Sequence, residues 1–323
     1  MLNSMVRVVA SLCLAIISAQ TALANPQLAS VPGARVNMEM QKPFSMKAKG
    51  LDHDHEITVY LPASYDSLED RSYPVLWVLD APLMLRNVVG VQDTLVLGNM
   101  APEMIVVGIG SRAEDGLAGV GRRVIDFSPA GPDYYPEGVR REVWEEIVSD
   151  FDFPHRGNEF LSFLVDEVRP RLERRYRFSG EHALFGHSAG GMFAAYSLFA
   201  RPDAFDKYII GSPYVAGVGG VVFKLEDLYA SENDDLDVAI FLGAGSDEAS
   251  EYFLAASGIV SGTVNFAETL RLRNYPSLEL STEIYSGENH YTVVPRVVSD
   301  GIRTLWAEEV EVLGSSWPQA PTE

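Results

Sequence analysis

The chain has 323 residues, is 47% hydrophobic and carries a formal net charge of −20 at pH 7, with an isoelectric point near 4.6. That acidity weighs against nucleic acid and anionic membrane surfaces as partners, since both repel a negatively charged protein. The single cysteine is Cys13, inside the apolar leader, so beyond it a disulfide framework, thiolate chemistry and a cysteine metal site are excluded.

Residues 1–24 have one positive charge at Arg7, an apolar run from Val8 to Ala19, and Ala22-Leu23-Ala24 before Asn25. This is the layout of a secretory signal peptide with an A-x-A cleavage site, and the run is too short for a membrane span. The expected product is residues 25–323, periplasmic or extracellular, with no membrane insertion. No linker or repeat divides it, so a single domain is expected.

Residues 37–49 alternate loosely and predict an edge strand, with His55–Leu61 as its antiparallel neighbour. His53 and His55 flank Asp54 just there. With no third ligand close by in sequence they read as a polar turn, and no metal is expected. Tyr73–Asp80 (YPVLWVLD) is continuously apolar until its last residue, as a strand buried on both faces must be. Leu83–Leu97 predicts a helix and Glu103–Gly108 a second buried strand, giving an alternation that implies a mostly parallel sheet with helices on both faces. Residues 111–157 break this rhythm with glycines, prolines, aromatics and six arginines, and read as a cap or substrate loop. Asn158 is expected to cap an amphipathic helix running to Tyr176. Lys207–Gly211, Val238–Gly243 and Leu278–Tyr285 supply further strands, and a last helix is expected over Val293–Glu309.

The centre of this pattern is Gly186-His187-Ser188-Ala189-Gly190, a G-x-S-x-G run between a short apolar strand and the helical run Phe193–Ala200. A serine on such a strand–turn–helix elbow projects its hydroxyl above the sheet, and the amide of Ala189 and the helix dipole face an oxyanion formed there. Ser188 needs a base. His290, in the loop SGENHYT after the last strand, is the one histidine beyond it, while His187 is adjacent and cannot fold onto its neighbour's hydroxyl. The acid belongs in the loop AGSDEASEY after Val238–Gly243, where Asp247 and Glu248 both qualify by spacing.

Taken together, ITVYLPASY, YPVLWVLD, R-x-x-D-F-S-P at Arg123–Pro129, GHSAGG, PDAFDKYIIGSP, GSDE and GENHYTVVPRVVSDGIRTLW resemble the esterase D and enterochelin (Fes-type) esterase family of α/β-hydrolases. The resemblance covers nearly all of residues 25–323. It implies an α/β-hydrolase fold, ester hydrolysis through an acyl-enzyme, and no cofactor or metal. It also implies Ser188 as nucleophile, His290 as base and Glu248, in preference to Asp247, as acid. A small-molecule ester is the implied substrate: a siderophore ester, an aryl ester or a simple acyl ester. An acyltransferase using the same triad, and a binding protein that has lost catalysis, are the alternatives. One departure bears on the oxyanion hole. Where relatives have L-L-D-G and then an amide donor, this chain has Leu79-Asp80-Ala81-Pro82, and Pro82 has no N–H. Either Leu83 or a shifted loop is then expected to supply the donor beside Ala189, or the hole leans on Ala189 and is weaker.

Overall fold

A computed structural model describes residues 37–129, 142–143, 146, 154–215 and 220–310. The expected signal peptide, 1–24, and the expected cap over 130–153, except 142, 143 and 146, lie outside the described residues, as does 216–219. Strands β1 (Glu39–Met40), β2 (Phe44–Lys47), β3 (Asp54–Leu61), β4 (Tyr73–Leu79), β5 (Ile105–Gly110), β6 (Phe178–His187), β7 (Lys207–Gly211), β8 (Ala239–Gly245) and β9 (Glu279–Tyr285) form one sheet. Its order is β1-β3-β5-β4-β6-β7-β8-β9, with β2 also on β3. The pairs of β3 with β1, β2 and β5 are antiparallel. Every pair from β5 to β9 along the sheet is parallel.

The expected edge strand over 37–49 is two short strands instead. Pro43 sits between them, with no N–H to give to a ladder. In β4 successive side chains feed opposite layers. Val75, Trp77 and Leu79 pack in one core, and Leu76 and Val78 in the other. That is why its sequence is apolar without alternation. Each buried aliphatic or phenylalanine side chain contributes about 1.5–3 kcal/mol of transfer free energy.

Helices α1 (Ala81–Leu97) and α7 (Val294–Leu305) cover the Leu76 face. The opposite face carries α2 (Gly116–Phe127), α3 (Gly157–Ser162), α4 (Ala189–Ala200) and α6 (Ile259–Arg273), with α5 (Val221–Glu232) packed beside α4. The single helix expected over 158–176 is corrected. After α3 the chain forms a wider π turn over Phe163–Val168 and returns to α-helix at Arg169–Glu173. Pro170 explains this, because its ring cannot donate to Asp166 and crowds that carbonyl, and widening the preceding turn relieves both. Asn158 caps nothing; its side-chain oxygen accepts from the Tyr196 hydroxyl. The last helix ends at Leu305, four residues before the expected Glu309, with a 3₁₀ turn over Ala307–Glu309.

This topology places the chemistry. After β4 the chain crosses to β5 on one side, and after β6 it crosses to β7 on the other. The turns that follow β4 and β6 therefore flank the crevice at the carboxyl edge, where open α/β sheets bind ligands.

Candidate active site

The serine elbow forms where β6 ends. Ser188 has φ 59° and ψ −118°, a conformation that L-residues rarely adopt. Its N–H donates to Gly211 O at 2.9 Å, so the strand's last backbone bond holds the turn. A side chain at Gly186 would run into the carbonyl of Gly190, and one at Gly191 would come within 2.5 Å of Gly211 O. The two glycines are thus required by close backbone approach. Helix α4 begins at Ala189, earlier than the run Phe193–Ala200 suggests. The Ser188 hydroxyl makes no capping bond to it. It stands half-buried at the helix N-terminus.

Glu248 lies on the 3₁₀ turn Ser246–Ala249 directly after β8 and is completely buried. Oε1 meets His290 Nδ1 at 2.6 Å. Oε2 accepts from the Gly245 N–H at 2.9 Å and from the Ser212 hydroxyl at 3.1 Å. This geometry fixes His290 with a proton on Nδ1 and leaves Nε2 to act. Asp247 is exposed and its side chain meets Ser246. Between the two expected acids, the contact to His290 belongs to Glu248.

Ser212, which the sequence did not mark, and His187, which it set aside as the base, complete the surroundings. Ser212, at the end of β7, is fully buried with φ 44°. Its N–H donates to Gly243 O at 2.7 Å, turning the hydroxyl toward Glu248. The ring of His187 packs against that of His290 with centroids 4.6 Å apart, and its Nε2 donates to the His290 carbonyl at 2.8 Å. Burial, helped by the nearby His290, pushes the His187 pKa down to about 3. At neutral pH the ring is an uncharged donor.

The oxyanion side requires a correction. Asp80 caps α1 in the left-handed conformation, φ 55° and ψ 44°. Its carbonyl accepts the Leu83 N–H at 2.8 Å and the Met84 N–H at 3.0 Å. The amide expected of Leu83 is therefore already used, because the tight first turn that Asp80 opens points it back at Asp80. Ala81 N–H makes no hydrogen bond to any described residue, and neither does Ala189 N–H. The Asp80 carboxylate receives two 2.7 Å bonds from Arg123. Burial pulls that guanidinium toward deprotonation, yet Asp80 outweighs it and holds its pKa above the ordinary value. Asp80 Oδ2 lies near Gly190, where a Cβ would come within 3.3 Å, so this ion pair sits beside the elbow.

A crevice next to it is lined by Asp80, Pro82, Leu83, Arg123, His53 and His55 among others. The two histidines are no solvated turn. Their Nε2 atoms meet Asp126 Oδ2 at 3.0 and 2.9 Å. Asp126 belongs to the R-x-x-D-F-S-P run more than seventy positions along the chain, which local sequence spacing could not bring to them. Burial pushes its carboxyl up, and the hydrogen bonds from both histidines more than offset that, leaving it below the usual carboxylate range.

Comparison with known proteins places this arrangement. The Esterase family model, described as "Putative esterase", matches residues 48–257. The chain is 27% identical over 286 residues to the ferri-bacillibactin esterase BesA of Bacillus subtilis, covering 85% of this chain and 90% of that protein. It is 37% identical over 115 residues to the siderophore enterobactin esterase of Emericella nidulans, spanning 34% of this chain and 36% of that one. In fold it is similar to the siderophore hydrolase EstA from Aspergillus nidulans, with TM-score 0.71, 23% identity, and 86% and 96% of the two chains covered. No described helix is long and apolar enough to cross a membrane. The chain belongs to the Esterase family and is a carboxylic ester hydrolase built on the α/β-hydrolase fold.

Proposed function

We propose that the protein is a serine esterase that cleaves siderophore-type esters through an acyl-enzyme, in the periplasm or outside the cell, after removal of residues 1–24. The observation that carries this reading is the 2.6 Å contact between His290 Nδ1 and a Glu248 that is saturated on its other oxygen. In the proposed cycle His290 Nε2 takes the Ser188 hydroxyl proton as Oγ attacks the ester carbonyl. The imidazolium, stabilised by Glu248, then returns that proton to the departing alcohol. Water repeats the sequence and frees the acid. The Ala189 N–H receives the oxyanion. Ala81, the amide without a partner in the first turn of α1, is assigned as the second donor, since Pro82 has none and Leu83's is engaged. The siderophore assignment draws on the names of the relatives, and the export assignment on the leader pattern.

Fluorophosphonate labelling read by intact mass tests the nucleophile. One adduct per chain is expected for the wild type, with none for Ser188→Ala and His290→Ala. A folded wild type that takes up no label would sink the triad. Hydrolysis of a catecholate trilactone, compared with a feruloyl ester and a short p-nitrophenyl ester, tests the substrate class. Cell fractionation with N-terminal sequencing tests the location.

A further inference from the structure

His53, His55 and Asp126 present one imidazole nitrogen each and a carboxylate oxygen within 4.8 Å of one another. His53 and His55 are two apart on the entry to β3, so they project to the same side. Asp126 comes from the last turn of α2, across the sheet surface. The two Nε2 atoms converge on a single oxygen at 3.0 and 2.9 Å, and their rings lie 4.7 Å apart. Bonds of about 2.0–2.1 Å at a tetrahedral angle separate ligand atoms by roughly 3.3 Å. The two Nε2–Oδ2 separations are a few tenths of an ångström short of that, and all three ligand atoms lie within 4.8 Å of one another.

Hydrogen bonding alone leaves this cluster incomplete. Asp126 is 5% exposed, yet its Oδ1 has no partner among the described residues. A buried carboxylate oxygen without a partner keeps its full desolvation penalty. The cluster also lines the crevice described above, which supplies the open position that a fourth ligand, water or substrate, requires. A buried His–His–carboxylate set with an open side suits zinc and neighbouring first-row dications and not magnesium, which prefers an all-oxygen shell.

We propose that His53 Nε2, His55 Nε2 and the Asp126 carboxylate bind one zinc-type divalent cation. The ion fastens α2 to β3. Three residues earlier in α2 is Arg123, which holds Asp80 beside the elbow, so the ion steadies the wall of the crevice that it lines. Its role is positional, and the inference stands independently of the proposed triad.

The test uses the full chain, stripped with chelator and dialysed, then titrated with ZnCl2 by calorimetry, with metal content read by mass spectrometry after gel filtration. One zinc per chain at micromolar affinity or tighter is expected, with a higher Tm and no response to MgCl2. Cobalt should give the intense visible bands of a four-coordinate ion. His53→Ala and Asp126→Asn should each weaken zinc by at least about tenfold, a loss that even removal of a supporting residue can cause. His53 is only half-buried, and its variant should melt like the wild type when both are in chelator, which separates lost binding from lost folding. A folded wild type that retains no zinc overturns the proposal, as does equal affinity in wild type and both variants.

Discussion

Two buried carboxylates in this protein meet histidines, and they are finished differently. Glu248 gives one oxygen to His290 and fills the other with an amide and a hydroxyl. Asp126 gives one oxygen to two histidines and leaves the other unpaired among the described residues. A saturated carboxylate can only orient its partner, holding one tautomer in one direction, which is what a base needs. An unsaturated carboxylate in a crevice keeps lone pairs for something else. Under the two proposals above, the contrast separates a positioning device from a receptor site even though both read as "His near Asp or Glu".

The largest effect expected lies on the finished side. Ser188→Ala should lower kcat on the order of 10⁶-fold while leaving the far-ultraviolet spectrum and Tm unchanged, since its hydroxyl makes no capping bond. Glu248→Gln should cost about 10⁴-fold, because an amide can present the wrong group to Nδ1 and fix the wrong tautomer. Asp247→Asn, one residue away and exposed, should leave steady-state rates within about twofold if the acid role rests on the buried contact. If Asp247→Asn lost as much as Glu248→Gln, the saturated carboxylate would not be the orienting group.

The next effect is on stability. Arg123→Met removes the partner of Asp80, which is 5% exposed, and stranding a buried charge costs about 3–5 kcal/mol. Urea unfolding should show that loss. The paired variant Arg123→Met with Asp80→Asn should recover much of it, because the stranded charge is gone. An unaltered urea midpoint in Arg123→Met would show that the pair does not bind the crevice wall together.

The sheet and the elbow were legible because they rest on local pattern. YPVLWVL can satisfy its apolar side chains only between two layers, and Gly186 and Gly190 of the motif announce a close approach at Ser188, which the backbone makes at Gly186 and Gly191. His290 and Glu248 were legible as the histidine and one of two carboxylates in the right loops. What selects Glu248 over Asp247 is the direction of a 3₁₀ turn, which spacing does not encode. Asp126 escaped because its partners lie 71 and 73 residues away. Leu83 failed as donor for a reason that depends on backbone angle: a left-handed Asp80 draws the Leu83 and Met84 amides back to its own carbonyl. The π turn before Pro170 was hidden too. Proline signals a disturbance in a helix but not whether the chain ends, kinks or widens.

The smallest effect expected comes from the histidine packed against His290. Burial pushes both His187 and His182 down to about 3, from an ordinary 6.5. In the native state both rings stay neutral through mildly acid pH, while in the unfolded chain each takes a proton below about 6.5. The unfolded state therefore binds more protons between those limits, and stability must fall as pH falls through that window. Each ring contributes a slope of about 1.4 kcal/mol per pH unit at most. Between pH 6.5 and 5 most carboxylates have yet to titrate, so urea unfolding there reads the histidines. His187→Gln keeps a donor for the His290 carbonyl and removes one titrating group, so its slope should be shallower than the wild type's by about that amount. Equal slopes would mean that His187 is protonated in the folded protein. In that case an imidazolium would face His290 and oppose the charge that the proposed cycle places on His290.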